Sequence, residues 1–225
     1  MEETIAFLDE LRRNNNREWF GANRERYRAV RARFDGFTLR LIDAIAAFDP
    51  MVRGLTLRDC SFRIYRDTRF HPYREPYNTH LSAFVCPFGR NSGYAGYYFR
   101  VEPGATEPSK GHLLSIGMYR PGAAAMKSIR DEIFLNGDAF ASAVAEAEAE
   151  GFRMQGEALR RMPVGYPADH PYAGWLRLKD IDLVHPADDA FMRDDGLLER
   201  LVAKFRSAYA ITSLLNRCVA YARGV

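Results

Sequence analysis

Lysine is nearly missing from this chain: among 32 basic residues the lysines are Lys110, Lys127, Lys179 and Lys204, so arginine carries most of the positive charge. The imbalance fits phosphate recognition by planar guanidinium forks, and equally a GC-rich genome that also favours alanine and glycine. Cysteine is scarce too. Cys60, Cys86 and Cys218 are odd in number and far apart, which argues against a disulfide framework or a paired-cysteine zinc site. No apolar run approaches the length of a membrane span, and Met1 to Leu11 carries Glu2, Glu3, Asp9 and Glu10 where a signal peptide would be basic and then apolar. These absences predict a soluble, cytoplasmic protein without membrane association. His-Glu-x-x-His, Cys-x-x-Cys, Gly-x-Ser-x-Gly and Walker patterns are missing, and Ser115 lacks the preceding glycine of a nucleophile elbow. His71, His112 and His185 have no metal-ligand spacing, and His71 and His80 flank a loop without a third ligand, so neither metal nor cofactor is expected. A net charge of +3 with both signs well mixed gives no reason to expect a nucleic-acid partner.

What is present is enough apolar material, 47% of 225 residues, to bury a substantial core, and no linker, repeat or low-complexity block divides residues 1–225, which predicts one domain. Ile5, Leu8 and Leu11 have helical spacing, and the Asn14-Asn15-Asn16 run stops that helix and caps the next. From Arg24, the residues Tyr27, Val30, Phe34, Phe37, Leu41, Ile45 and Phe48 form the clearest amphipathic stripe, ended by Asp49-Pro50. The period then shortens. Phe62 and Ile64 alternate with Arg63 and Tyr65, and strands are expected again over residues 81–85, 94–101 and 113–119, joined by connections too short for helical crossovers. Helices resume at Pro121, with Met126, Ile129 and Ile133 on one face and Gly137 as terminator, and Asp138 caps a helix over residues 139–150. Asp169 is expected to cap a helix over residues 171–178, Ile181 to Val184 reads as a short strand, residues 195–208 as a helix, and Thr212 as the cap of a last one. The pattern predicts an α+β fold, an antiparallel sheet in the middle of the chain with N- and C-terminal helices packed on it.

The chemistry concentrates in Arg63 to His80, where arginines, acids, histidines and tyrosines crowd one strand-and-loop segment. Several permanently charged forks within a few residues must pair with carboxylates or face an anion. In the first case Asp67 and Glu75 neutralise the arginines. In the second, Arg66 and Arg69 grip a ligand, Asp67 orients one of them, Arg63, Tyr65 and Arg74 line the pocket, and Tyr77 and His80 close it. A further candidate is the pair Asp169 and His170, a carboxylate beside a side chain that titrates near neutrality, although capping accounts for Asp169 more simply. Trp19, Phe20 and Trp175 read as buried anchors.

Three clusters carry a resemblance. The run Asn15-Asn16-Arg17-Glu18-Trp19-Phe20 with Asn23, Arg24 and Tyr27 is the first; Tyr65-Arg66-Asp67-Thr68-Arg69-Phe70 leading to Pro76-Tyr77 is the second. Pro163, Gly165-Tyr166-Pro167 and Asp169-His170-Pro171 make the third. Together they resemble a widespread family of conserved bacterial and fungal proteins of unknown function, over nearly the whole chain. The resemblance implies one domain and brings no activity with it. Family members usually have lysine where Arg74 and Asn78 stand, and glycines where Ser115, Ile116 and Gly117 stand; a phosphate site needing a point charge at Asn78 would be weakened here. Two functions then fit the sequence. One is a small-molecule enzyme or binder with an arginine-lined pocket for a phosphate- or carboxylate-bearing ligand; the other is a non-catalytic protein-interaction module whose arginines form an internal ion-pair network.

Overall fold

The sequence's asparagines and its two periodicities account for most of the architecture. In the computed structural model, which describes residues 1–67, 75–104 and 111–225, helix α1 (Glu2–Arg13) ends at Asn14, and the Asn16 side chain accepts from the Trp19 N–H to open α2 (Arg17–Ala22). The long helix α3 (Arg24–Ala46) follows, burying Val30, Phe34, Phe37, Leu41 and Ile45 along one face. Asp49 caps the turn Pro50–Val52, and the short α4 (Leu57–Cys60) has a capping box from Thr56 and Asp59.

Strands β1 (Leu81–Val85), β2 (Gly96–Val101) and β3 (Leu113–Met118) form the expected meander, and helices α5 (Ala123–Leu135) and α6 (Gly137–Ala149) come next. The short β4 (Arg153–Gln155), the helical turn α7 (Ala173–Leu176) and β5 (Ile181–Pro186) precede α8 (Asp189–Arg193), α9 (Leu197–Ser207) and α10 (Tyr209–Arg223). The sheet runs β1-β2-β3-β5-β4 with every pairing antiparallel. This is an α+β fold, a central antiparallel sheet flanked by N- and C-terminal helices.

Because side chains alternate across a strand, the register divides the sheet into two faces. Ala83, Tyr97, Phe99, Leu114, Ile116 and Leu183 point into the core, where Phe34 and Phe37 meet Phe99 and Phe205 meets Tyr97. The opposite face carries Ser82, Phe84, Tyr98, Arg100, Leu113, Ser115, Asp182 and Val184. Two asparagines fasten distant segments by imitating a strand partner. Asn216 of α10, fully buried, accepts from the Ala95 N–H at 2.8 Å and donates to its carbonyl at 3.2 Å. Asn15 does the same to Tyr77, at 3.1 and 2.9 Å.

Several local expectations are corrected. Residues 62–65 are extended but form no strand of the sheet: isolated bridges join Ser61 to Ala83 and Tyr65 to Tyr77, and Phe62 stays exposed while Ile64 plugs the core. Pro121 lies before α5, not in its first turn, because Gly122 occupies the cap. Gly137 opens α6 and does not end α5, since Asn136 already caps that end and a Cβ at Gly137 would strike the Tyr172 ring. Asp138 therefore sits inside the first turn, where it accepts from the Tyr172 hydroxyl at 2.5 Å. Tyr172, not Asp169, precedes α7. Thr212 lies within α10, its hydroxyl donating back to the Ala208 carbonyl at 3.0 Å in place of a cap. Finally β4 and α8 were not expected, each being too short to show a period.

Candidate functional site

The segment that crowds the sequence with arginine folds back on itself at the β1 edge. The Phe62 N–H donates to the Ser82 carbonyl at 3.2 Å, the Asn78 N–H to Ile64 at 2.7 Å, and the Arg66 N–H to Pro76 at 3.0 Å, so the two arms of the loop are laced together. Between them and the open face of the sheet lies a cleft of about 500 Å³ lined by Arg63, Tyr65, Arg66, Asp67, Asn78, His80, Ser82 and Tyr98. Five of the expected site residues, Arg63, Tyr65, Arg66, Asp67 and His80, are thus brought together. Arg69 and Arg74 lie outside the described residues. Tyr77 is not on the cleft: it is buried and stacked on Phe20, ring centroids 3.9 Å apart.

The guanidinium of Arg66 is engaged from within. Its Nε donates to Asn78 Oδ1 at 3.0 Å and its terminal nitrogen lies 3.4 Å from Glu75, whose carboxylate also accepts from the Asn15 amide at 3.2 Å. Asn78 therefore serves as an acceptor for Arg66. His80 lies 3.7 Å from Glu102, and Arg100 lies 3.2 Å from the same carboxylate. Burial pushes the Glu102 pKa up, but the His80 hydrogen bond, the Arg100 and His80 charges and the Gly111 N–H outweigh it and hold the carboxyl down to about 2. The Glu102 N–H in turn donates to His112 Nδ1 at 3.0 Å, and His112 Nε2 meets Asp189 at 2.9 Å. Arg63 has no carboxylate partner among the described residues.

Across the sheet this cleft continues into a larger depression of about 670 Å³ that shares Phe62 and Tyr98 with it. Its floor is the open face, Leu113, Ser115, Asp182 and Val184, and its rim holds Arg90, Tyr94, Tyr119 and Arg120. Ser115 donates its hydroxyl to Asp182, and burial raises the Asp182 pKa. Gly117, opposite Asp182 in register, has φ +117 and a Cβ there would meet the Ile181 carbonyl at 2.1 Å, so this strand position admits no side chain. Of the two non-glycine residues with positive φ among those described, Arg120 stands on the rim of this depression, and Phe88 packs against Tyr94 without lining it. Sequence reasoning missed this half of the surface. Its signal was present in the alternation of Tyr98, Arg100 and Ser115 with buried neighbours, but the place of β5 beside β3, which brings in Asp182, leaves no trace in local pattern.

The second candidate stays apart. Asp169 is exposed, and His170 turns from it: Nδ1 accepts from the Tyr172 N–H at 3.2 Å and the ring rests against Phe134 in a shallow hollow of about 480 Å³. All three cysteines are buried, and loss of hydration pushes their thiols up, Cys60 to about 12 and Cys86 and Cys218 to about 11. Among the described residues no group of three or more His, Cys, Asp or Glu side chains is placed to hold a metal, and no helix among them is long and apolar enough to cross a membrane.

Neither the curated proteins nor the solved structures contain a match to this chain. Residues 3–213 match the conserved hypothetical proteins grouped as DUF2461, and with nearly the whole chain covered, the protein belongs to that family.

Proposed function

We propose that this protein is a non-catalytic protein-interaction module in which Arg66, at the centre of the Arg63 to His80 segment, serves an internal ion-pair network in place of a substrate. The observation that supports it most is the state of Arg66, the central residue of the expected anion grip, which is held by Glu75 and Asn78 with Asn15 bracing Glu75 behind. A guanidinium engaged in this way, with Nε and one terminal nitrogen taken and its charge offset by Glu75, has fewer donors and less uncompensated charge to offer an anion. The surroundings agree: the thiols are buried and hard to ionise, and His112 is locked between a backbone N–H and Asp189. The chemistry on offer is therefore recognition rather than turnover.

The cleft beside Arg63 favours a second reading, a pocket for a phosphate- or carboxylate-bearing small molecule in which Arg63 and His80 supply what Arg66 does not. Thermal unfolding with phosphate or sulfate against sodium chloride at matched ionic strength separates the two. For the module, all three salts act alike, and Arg66→Ala lowers stability by about 1 to 2 kcal/mol through the lost pair and hydrogen bond. A phosphate-specific rise in Tm of about 2 to 5 °C, lost in Arg66→Ala or Arg63→Ala, would install the small-molecule pocket instead.

A further inference from the structure

The two depressions make one groove, because Phe62 and Tyr98 line both, and it crosses the face of the sheet opposite the helices. Three properties of that groove point to the same kind of occupant. Its floor is apolar at Leu113 and Val184 and aromatic at Tyr98, with Ser115 and Asp182 as a polar pair between them. Its charge is unbalanced even after Arg66 is paired with Glu75 and Arg100 with Glu102: Arg63, Arg90 and Arg120 also line it, with Asp67 and Asp182 as the lining carboxylates among the described residues. Arg63, Arg90 and Arg120 have no carboxylate within ion-pair distance among those residues. The Arg90 guanidinium donates to the Arg58 carbonyl and lies over Phe62, and that of Arg120 lies over Tyr119, 5.1 Å from the ring centre. The third property is the rim, where the exposed ring of Tyr119 (72% accessible) stands beside the positive-φ backbone of Arg120. A bulky residue held at positive φ persists only where the surroundings enforce it, commonly at ligand clamps and other functional sites.

We infer that this groove receives a short acidic segment of a partner protein, an extended peptide whose carboxylates meet Arg63 and Arg120 and whose apolar side chain packs on Tyr98, Leu113 and Val184. The inference rests on the interaction-module reading and names its partner. Length favours a peptide over a compact ligand: the two depressions together reach just past the 300–1,000 Å³ of a typical small-molecule pocket, and each of them is lined by arginine. Charge favours an acidic segment over a basic one, since a lysine-bearing peptide would face the unpaired guanidinium groups throughout. Burial keeps Asp182 from offsetting them fully, because its carboxyl resists ionisation there.

The test is fluorescence anisotropy on the full chain with labelled, end-blocked octapeptides of alternating Glu and Leu or Phe, against the same peptides with Gln or Lys for Glu, and against free 2-naphthoate. The Glu peptide is expected to bind at least tenfold more tightly than the Gln peptide, with affinity falling as sodium chloride rises. Tyr119→Ala and Arg120→Glu, both at exposed positions, are expected to weaken it by roughly tenfold each, about 1.4 kcal/mol, while circular dichroism stays unchanged. If neither Glu nor Gln peptide binds, or Arg120→Glu binds as the parent does, the inference falls. Equal or better binding of the Lys peptide overturns its charge, and naphthoate competing at the peptide's own affinity overturns its length. The phosphate experiment above decides the module reading separately: salt indifference without peptide binding sinks the peptide groove alone, whereas a phosphate-specific shift sinks the module.

Discussion

Replacing Glu102 with Gln removes one charge from the centre of the polar network behind the groove while keeping the side chain's size. In the native protein one carboxylate oxygen accepts from the Thr79 hydroxyl at 3.2 Å and faces His80, and the other accepts from the Gly111 N–H at 3.3 Å and faces Arg100. The residue is 7% accessible, so solvent does little to screen these contacts. Holding the pKa at about 2 against an unfolded value near 4.5 corresponds to about 3 kcal/mol of stability at neutral pH, at roughly 1.4 kcal/mol per unit. Because the folded pKa is the lower one, that stability is fully present above about pH 4.5 and is lost as pH falls through about 2. Glu102→Gln should therefore unfold about 3 kcal/mol more easily at pH 7, with Tm lower by roughly 6 to 12 °C for a chain of this length. Urea titrations followed by circular dichroism at pH 7, 4.5 and 3 should show the gap between parent and variant closing with acid. A gap of the same size at pH 3 and pH 7 would mean that geometry, not charge, is what the substitution removed, and a gap under 1 kcal/mol at pH 7 would mean that the charge contributes nothing.

Asp182 carries the opposite sign: its folded pKa is raised, so ionisation destabilises the fold and stability falls as pH climbs from the unfolded carboxylate value through the raised one. Asp182→Asn should flatten that decline in a pH series of melting temperatures; a steeper decline in the variant would refute the assignment. Phe20 is buried between Phe7, Tyr27, Tyr65 and Tyr77, and Phe20→Ala should cost about 3 to 5 kcal/mol in denaturant titration, with half-buried Trp19→Ala costing less. Asn216→Ala strands both polar groups of Ala95 in the core and should cost about 2 to 4 kcal/mol, with amide exchange at Ala95 accelerating; an unchanged exchange rate would mean that water replaces the asparagine.

The elements that could be read from sequence are those whose signal repeats along the chain. Val30, Phe34, Phe37 and Leu41 recur often enough to fix α3, and β2 shows alternation because Tyr97, Phe99 and Val101 are buried while Tyr98 and Arg100 are less so, whereas β1 and β3 are buried along nearly their whole length and are marked by apolar and small residues instead. Caps were less legible, since Asp138, Asp169 and Thr212 have the chemistry of a cap wherever they stand and their actual partners, Tyr172 for the first and the Ala208 carbonyl for the last, are chosen by packing. Arg63, Arg66 and His80 were recognisable by crowding. What they touch was not, because Asn15, Glu102 and Ser82 arrive from elsewhere in the fold. Tyr77 shows the same limit from the other side: a polar tip suggested a site residue, and stacking on Phe20 made it core.

The place of β5 between β3 and β4 imposes an order on biosynthesis. The meander of β1, β2 and β3 can pair as soon as residue 118 has left the ribosome, but the open edge of β3 waits for a partner that lies roughly 70 residues further on. At 5 to 20 residues per second that edge stays bare for about 4 to 14 s, with Leu114 and Ile116 of β3 still lacking their β5 neighbours His185 and Leu183. The Asn216 clamp on Ala95 closes later still, so the sheet is finished from its C-terminal side and the nascent chain is at its most vulnerable between the third and fifth strands.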